Sequence, residues 1–325
     1  MPRITTVLLF VMLAASVSSS VPVEAAQNYP VRPIRIVVPQ APGGSTDFTA
    51  RLVAPLLAER FGQSVVVDNR VGSGSLLGTD LVAKSIPDGY TLLVVASSIT
   101  INPSMYKKLP FDPDRDFAPV TILSSFSNLL AVHPSLPANS VKELVVLAKS
   151  KPGALNFASG GTGTATHLVA ELFKSMAGIE IVHVPYKGGG PAITALLGNE
   201  VQLYFGPINT LLGHVKSGRL KGLAVSSAKR QQVTPDMPSV AESGLPGFEH
   251  VTWNGLLAPA RTPGAVIGKL SREVRAILNM PLVVERFSRD GVEAGGNTPE
   301  EFAVMLKREI AKWAKVIRDA GIRPN

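Results

Sequence analysis

Ile34-Arg35-Ile36-Val37-Val38-Pro39-Gln40-Ala41-Pro42-Gly43-Gly44-Ser45-Thr46-Asp47 is the stretch that decides the fold. Its β-branched run reads as a buried strand, and Pro and Gly then turn the chain. Apolar spacing from Thr46 to Phe61 follows as a helix stopped by Gly62. The same grammar continues outward, with a strand at Ser64 to Asp68, a helix from Leu76 to Ile86 and a strand from Tyr90 to Ala96. Phe117 to Ser125 and Leu129 to His133 read as extended segments leaving this unit. A second series begins at helix Val141 to Ser150. It runs through strand Leu155 to Ala158, helix Thr164 to Ala177, strand Ile179 to Pro185 and helix Pro191 to Leu197. Strand Val201 to Phe205, helix Ile208 to Val215 and strand Leu220 to Ser226 complete it. Strand Val251 to Leu257 then carries the chain back. Helices Pro263 to Leu278, Leu282 to Asp290 and Pro299 to Ala320 finish it, with Leu306 and Trp313 on one core-facing stripe. Two α/β units built this way imply an α/β, two-lobed binding-protein fold with a cleft between the domains. The expected division is a first domain of residues 26–126 plus 249–325 and a second of residues 127–248.

Composition narrows the function. A chain of 325 residues, 45% hydrophobic and only 17% charged, holds enough apolar mass for two cores and is not a disordered chain. Met1-Pro2-Arg3, an apolar run to Ala15 and a small-residue stretch ending Val23-Glu24-Ala25 read as an export signal cleaved after Ala25. The expected location is therefore the periplasm. There is no cysteine, so no disulfide, lipid anchor or thiolate enters the chemistry. The net charge of +8 serves either to guide anions or simply to keep the protein soluble. The basic residues are scattered without aromatic interleaving, which argues against nucleic acid.

Three glycine-rich loops each follow a strand and open a helix: the one quoted above, Ser159-Gly160-Gly161-Thr162-Gly163-Thr164, and Tyr186-Lys187-Gly188-Gly189-Gly190-Pro191. Unpaired amides and the positive dipole end at a helix start attract carboxylates, and glycine lets them approach. Any one loop is equally a tight turn; three of them across two domains point to a shared anion site. The expected ligand contacts are Gly43, Gly44, Ser45, Asp47, Ser97, Ser159, Gly161, Thr162, Gly163, Thr164, His167, Tyr186, Lys187 and Gly188. Asp47 either braces its loop or touches ligand. Lys187 is either a cleft cation or a solvated turn residue, and His167 either orders its loop or packs in the core. Val71-Gly72-Ser73-Gly74-Ser75 lacks dinucleotide-fingerprint spacing and reads as a turn bordering the cleft. No nucleophile elbow, phosphate loop or metal-spaced histidine pair occurs, so neither catalysis nor a cofactor is expected.

Taken in order, these pieces resemble the Bug family, the solute receptors of tripartite tricarboxylate transporters. Tyr29-Pro30, Ala41-Pro42-Gly43-Gly44 with Asp47 and Arg51, Val67-Asp68-Asn69-Arg70 and Pro87-Asp88-Gly89-Tyr90 carry the likeness. Ser159 to Gly163 with His167, Val184 to Gly188 and Trp253-Asn254-Gly255-Leu256 complete it. The resemblance implies a monomeric receptor that closes over a small carboxylate, partly through ordered waters, and delivers it to integral-membrane transporter subunits. A solute sensor for a membrane signalling protein, or a periplasmic enzyme acting on carboxylates, are the alternative functions. Where such receptors often carry aspartate, this chain has Gly206, which favours a simple organic acid over an amino acid unless Asn209 compensates.

Overall fold

The computed structural model describes residues 28–319; the expected export signal and its cleavage after Ala25 lie outside the described residues. Strand β1 (Ile34–Val38) is flanked by parallel strands β2 (Val65–Asn69) and β3 (Thr91–Ala96), with Ile36 opposite both Val67 and Leu92. Ile34, Ile36, Val37 and Val38 are all buried, as a parallel strand covered on both faces requires. Helix α1 (Ser45–Phe61) packs Ala50, Val53 and Leu57 against this sheet and ends at Gly62 in the left-handed conformation. It runs through Pro55, whose exposed position leaves the unbonded carbonyl one turn back to solvent. Helix α2 (Leu76–Ala83) and the short α3 (Asn102–Met105) follow the second and third strands.

The two extended segments expected around residue 126 form one strand, β4 (Phe117–Val132). Residues from Phe117 to Ser127 pair antiparallel with β9 (Val251–Pro259), while Asn128 to Val132 pair with β7 (Leu203–Pro207). Pro119 has no amide to give the ladder, and the register shifts beside it. In the second lobe β5 (Asn156–Ser159) lies parallel between β6 (Val182–Pro185) and β7, with β8 (Lys221–Val225) on the other side of β4. Helices α4 (Val141–Ser150), α5 (Ala165–Ala177), α6 (Gly189–Leu197) and α7 (Ile208–Lys216) cover these strands. Phe157, Phe173, Phe205 and Phe248 are buried together here, each worth about 2–3 kcal/mol by area.

The chain returns to the first lobe through β9, then α8 (Gly264–Leu278), α9 (Pro281–Arg289), a three-residue strand β10 (Val292–Ala294) and α10 (Pro299–Asp319). The expected apolar stripe is present: Phe302, Leu306, Trp313 and Ile317 are buried. Trp313 and Ile317 cluster with Leu168 of α5, so the last helix reaches across to the other lobe.

The crossings are tied by buried polar groups. The Asn128 amide donates to Ser226 Oγ and its carbonyl accepts from the Ser226 amide, Ser226 Oγ donates to the His250 carbonyl, and Asn128 Nδ2 meets His250 Nδ1 at 3.0 Å and Thr252 Oγ1 at 2.9 Å. A second buried centre is Asn254, whose amide nitrogen donates to Thr49 Oγ1 and Ser124 Oγ, both at 3.1 Å, and to Ser45 Oγ at 3.2 Å. Its oxygen accepts from Thr46 Oγ1 at 3.0 Å. Asn254→Ala is expected to cost about 3 kcal/mol, because it strands several buried hydroxyls. Urea denaturation checks this; a loss below about 1 kcal/mol contradicts it.

Candidate functional site

The glycine loops meet face to face. A Cβ built on Gly44 would lie 3.6 Å from the Gly189 nitrogen, and one on Gly160 would lie 3.5 Å from the Gly188 carbonyl carbon. The Ala41 amide donates to the Lys187 carbonyl at 3.2 Å, from one lobe to the other. The N-termini of α1 and α6 therefore abut, with the 159–164 loop that leads into α5 beside them. Each carries roughly +0.5 of an elementary charge, so their juxtaposition favours an anion at the meeting point.

Beside this contact a cleft of about 360 Å³ opens between the lobes. Of the residues expected from sequence, Gly161, Thr162, Tyr186 and Lys187 line it. Lys187 is the single charged residue of the lining, and no carboxylate faces it. Gly43 and Asp47 line a different hollow, while Gly44 and Gly188 form the contact between lobes. Ser45 is engaged by Asn254, and Ser97 is buried with its hydroxyl unpartnered.

The remaining expected residues act inside the second loop. The Gly160 amide donates to Thr166 Oγ1, that of Gly161 to Ser159 Oγ, and that of Gly163 to His167 Nδ1. Thr164 closes the turn by bonding the Gly161 carbonyl through both its amide and its hydroxyl. Among the described residues Thr162 is the loop amide left without a protein acceptor, and it sits at the cleft. The amides of Ser45, Thr46 and Gly189 likewise have none among the described residues.

Two stacked imidazoles support this loop. The rings of His167 and His183 lie 4.0 Å apart, with Phe157 stacked on His183 at 4.9 Å. His183 Nε2 lies 2.6 Å from Ser159 Oγ. Burial, then the charges of His183 and Lys174, push His167 down to about 3; burial and Lys174 push His183 to about 4. Both are neutral near pH 7, and the Gly163 bond places the His167 proton on Nε2, 3.7 Å from Glu171. Ser159 and His183 have nucleophile–base geometry, but Ser159 is fully buried, so the pair braces the loop.

Asp47 is also a brace. Its carboxylate accepts from the Gly43 amide at 3.1 Å, Arg51 at 2.9 Å and Asn69 at 3.0 Å. Burial pushes this carboxyl up, but the bonds from Arg51, Asn69 and Gly43 outweigh it and hold the group below the usual carboxylate range. At Gly206 an added Cβ would lie 2.3 Å from the Tyr204 ring, so the ring occupies the space a side chain would need.

Reading the sequence placed Pro39 and Gln40 in the first loop and Pro185 in the family resemblance without expecting ligand contacts there, passed over Tyr106, and gave Val71 to Ser75 only a bordering role; all of these line the cleft. Ser73 and Ser75 both hold positive φ (48° and 81°), a strained backbone found where loops are over-determined by function. Gly74 packs so tightly that a Cβ would lie 2.2 Å from the Thr162 oxygen and 2.6 Å from Tyr106 Oη. Tyr106 itself donates across the cleft to the Thr162 carbonyl at 2.6 Å. Glycine density was the one available signal for the 71–75 turn; nothing in the sequence marks Tyr106.

Two α/β lobes joined by crossing strands, with loops from both lining one cleft, define a solute-binding protein of the two-lobed kind. The chain belongs to the tripartite tricarboxylate transporter family receptors, whose profile (TctC) matches residues 49–322. Its curated relatives include BugT of Bordetella pertussis, 36% identical over 325 residues and 99% of each chain. Similar solved structures include R. palustris Rpa4515 with adipate (TM-score 0.89, 36% identity, covering 91% of this chain and 100% of that one). The periplasmic binding protein BugD gives TM-score 0.88 at 35% identity, covering 91% and 100%. MatC from Rhodopseudomonas palustris with bound malate gives 0.86 at 31%, covering 89% and 100%. The resemblance seen in the sequence is borne out, as is the two-lobed α/β fold. Members of the family are solute-binding receptors of periplasmic binding-protein type. Among the described residues no helix is long and apolar enough to cross a membrane, and no group of acidic or histidine side chains has the arrangement of a metal site.

Proposed function

We propose that this chain captures a small organic dicarboxylate in the periplasm, performs no chemistry on it, and delivers it as a monomer to the membrane subunits of a tripartite transporter. The supporting observation is the meeting of the α1 and α6 N-termini, one from each lobe, beside a cleft with one lysine and no carboxylate. The ligand contacts in this reading are the Thr162 amide, Tyr186, Lys187 and the starts of α1 and α6. Ser159, Thr164, His167 and Asp47 hold the loops in place. The exported chain begins after Ala25. The lobes divide as residues 26–126 plus 249–325 and 127–248, a division supported by the partner switch of β4 between Ser127 and Asn128.

Adipate and malate, the ligands of two similar structures, are the first acids to test. Tyr204 filling the space at Gly206 favours a plain diacid over an amino acid, because no carboxylate is present there to meet an ammonium group. Isothermal calorimetry is expected to give micromolar or tighter binding of a dicarboxylate, on the order of −8 kcal/mol, and none of the matching diamide. Equal affinity for the diamide contradicts the anion reading.

A further inference from the structure

The loop that opens α5 is completed from the other lobe. Its amides at Gly160, Gly161 and Gly163 and its carbonyl at Gly161 find partners within the second lobe. The carbonyls of Thr162 and Gly163 do not; among the described residues their donors come from the first lobe, at α3 and the residue after it. Tyr106 Oη donates to the Thr162 oxygen at 2.6 Å. Asn102, with its nitrogen turned toward the carbonyls around it, donates to Gly163 at 3.2 Å and to Ser98 of its own lobe at 3.1 Å. The phenol lies between two glycines: a Cβ on Gly163 would sit 2.8 Å from Tyr106 Cε2, and one on Gly74 would sit 2.6 Å from its Oη. Beside them, Ile101 and Met105 are buried in one cluster with Leu168 of α5.

The peptide between Thr162 and Gly163 is planar, so its carbonyl, held by Tyr106, and its N–H, held by His167, point in opposite directions. One peptide is thus gripped from both lobes. The peptide before it has its carbonyl held by the amide and hydroxyl of Thr164, which turns the free Thr162 N–H the other way. We propose that Tyr106 and Asn102 are positioning residues that form a latch: they lock the Thr162 turn against the first lobe when the lobes close, acting through its backbone rather than on the ligand. In the open receptor these two carbonyls face water. In the closed one water is excluded, and a carbonyl deprived of its donor stays unpaired. The latch therefore stabilises the closed state alone, by the same amount whichever acid is held. The proposal rests on the receptor reading above and names the residues that hold its closed form.

The experiment compares the full mature receptor with Tyr106→Phe, which keeps the ring and removes the donor, using malate, adipate and related diacids as probes. The calorimetric Kd is expected to rise about tenfold, by one common factor for every acid the parent binds. Stopped-flow kinetics are expected to place that change in koff and to leave kon within about twofold of the parent. The urea midpoint of the ligand-free variant should match the parent's, because the bond is absent from the open form. Asn102→Ala is expected to raise koff as well, and to lower the ligand-free midpoint because it also frees the Ser98 carbonyl in its own lobe. Parental affinity in Tyr106→Phe, or parental koff in Asn102→Ala, overturns the latch. So does a Tyr106→Phe loss carried by kon or matched by a fall in the ligand-free midpoint, since the bond would then brace the open protein too. Unequal losses among the acids overturn it as well, by placing the hydroxyl on the ligand. A parent that binds none of these acids marks the receptor reading itself, and not the latch, as the one at fault.

Discussion

Replacing Gly74 by alanine is expected to weaken ligand binding about 100-fold or more, near 3 kcal/mol, while the protein stays folded. Gly74 belongs to the first lobe, and its added Cβ would sit 2.2 Å from the Thr162 oxygen of the second. That oxygen is backbone, on a loop pinned by His167, Thr164 and Ser159, so it has little room to yield. The lobes would then stop short of contact, and a receptor that cannot populate its closed state loses affinity in proportion. Alanine at a positive φ also carries strain of about 1–2 kcal/mol, so a control is needed. Gly62 supplies it: its φ of 62° matches the 64° of Gly74, but nothing lies within 4 Å of its Cβ position. Gly62→Ala is expected to lower stability and leave affinity unchanged. Calorimetry on both variants separates the causes, and equal affinities would remove the Gly74 contact from the binding-competent state.

Acid should be the second large effect, and it acts on stability first. Burial holds His167 and His250 down to about 3, and His183 to about 4. The unfolded chain titrates these groups near 6.5, so as pH falls it binds protons before the folded chain does. Their contribution is fully present above about pH 6.5 and is lost as pH drops toward 4 and below. The slope is about 1.4 kcal/mol per pH unit per proton. Between pH 7 and 5 that is about 2 kcal/mol for each of His167 and His250, and less for the more exposed His183. Glu171 opposes it, because burial pushes that carboxyl up despite Lys174, and it takes up a proton more readily when folded. A net loss of about 3–4 kcal/mol is expected in urea denaturation at pH 5 against pH 7. Unchanged midpoints would show that protons reach these rings in the folded state. Ligand affinity should fall as the acid's own carboxylates take up protons at about pH 4–5, and further when His167 and His183 charge in the fold and the Gly163 amide loses its acceptor.

Much of the architecture was legible in residue order. Ile34 to Val38, the helix stopped at Gly62 and the alternation from Val141 to Ser226 all appear near their expected bounds. Burial on both faces of a parallel strand leaves a plain apolar run, which can be read one residue at a time. The extended segments around residue 126 were visible as well, but not that they form a single strand serving both lobes. The site was legible in part: the 161–162 turn and Tyr186-Lys187 lie at the cleft, while Tyr106 and the 71–75 turn gained their place there only from the folded chain.

What residue order determined by itself is local: which segments are strands, where glycine lets a helix begin, and that there is no thiol. Those features depend on neighbours along the chain. Tertiary structure alone decided which amides remain free, because His167, Thr166, Ser159 and Asp47 occupy the others. It also decided that Gly74 touches Thr162 and that a second hollow lies between the lobes. Those are contacts between residues tens of positions apart, and they exist only where two lobes are pressed together.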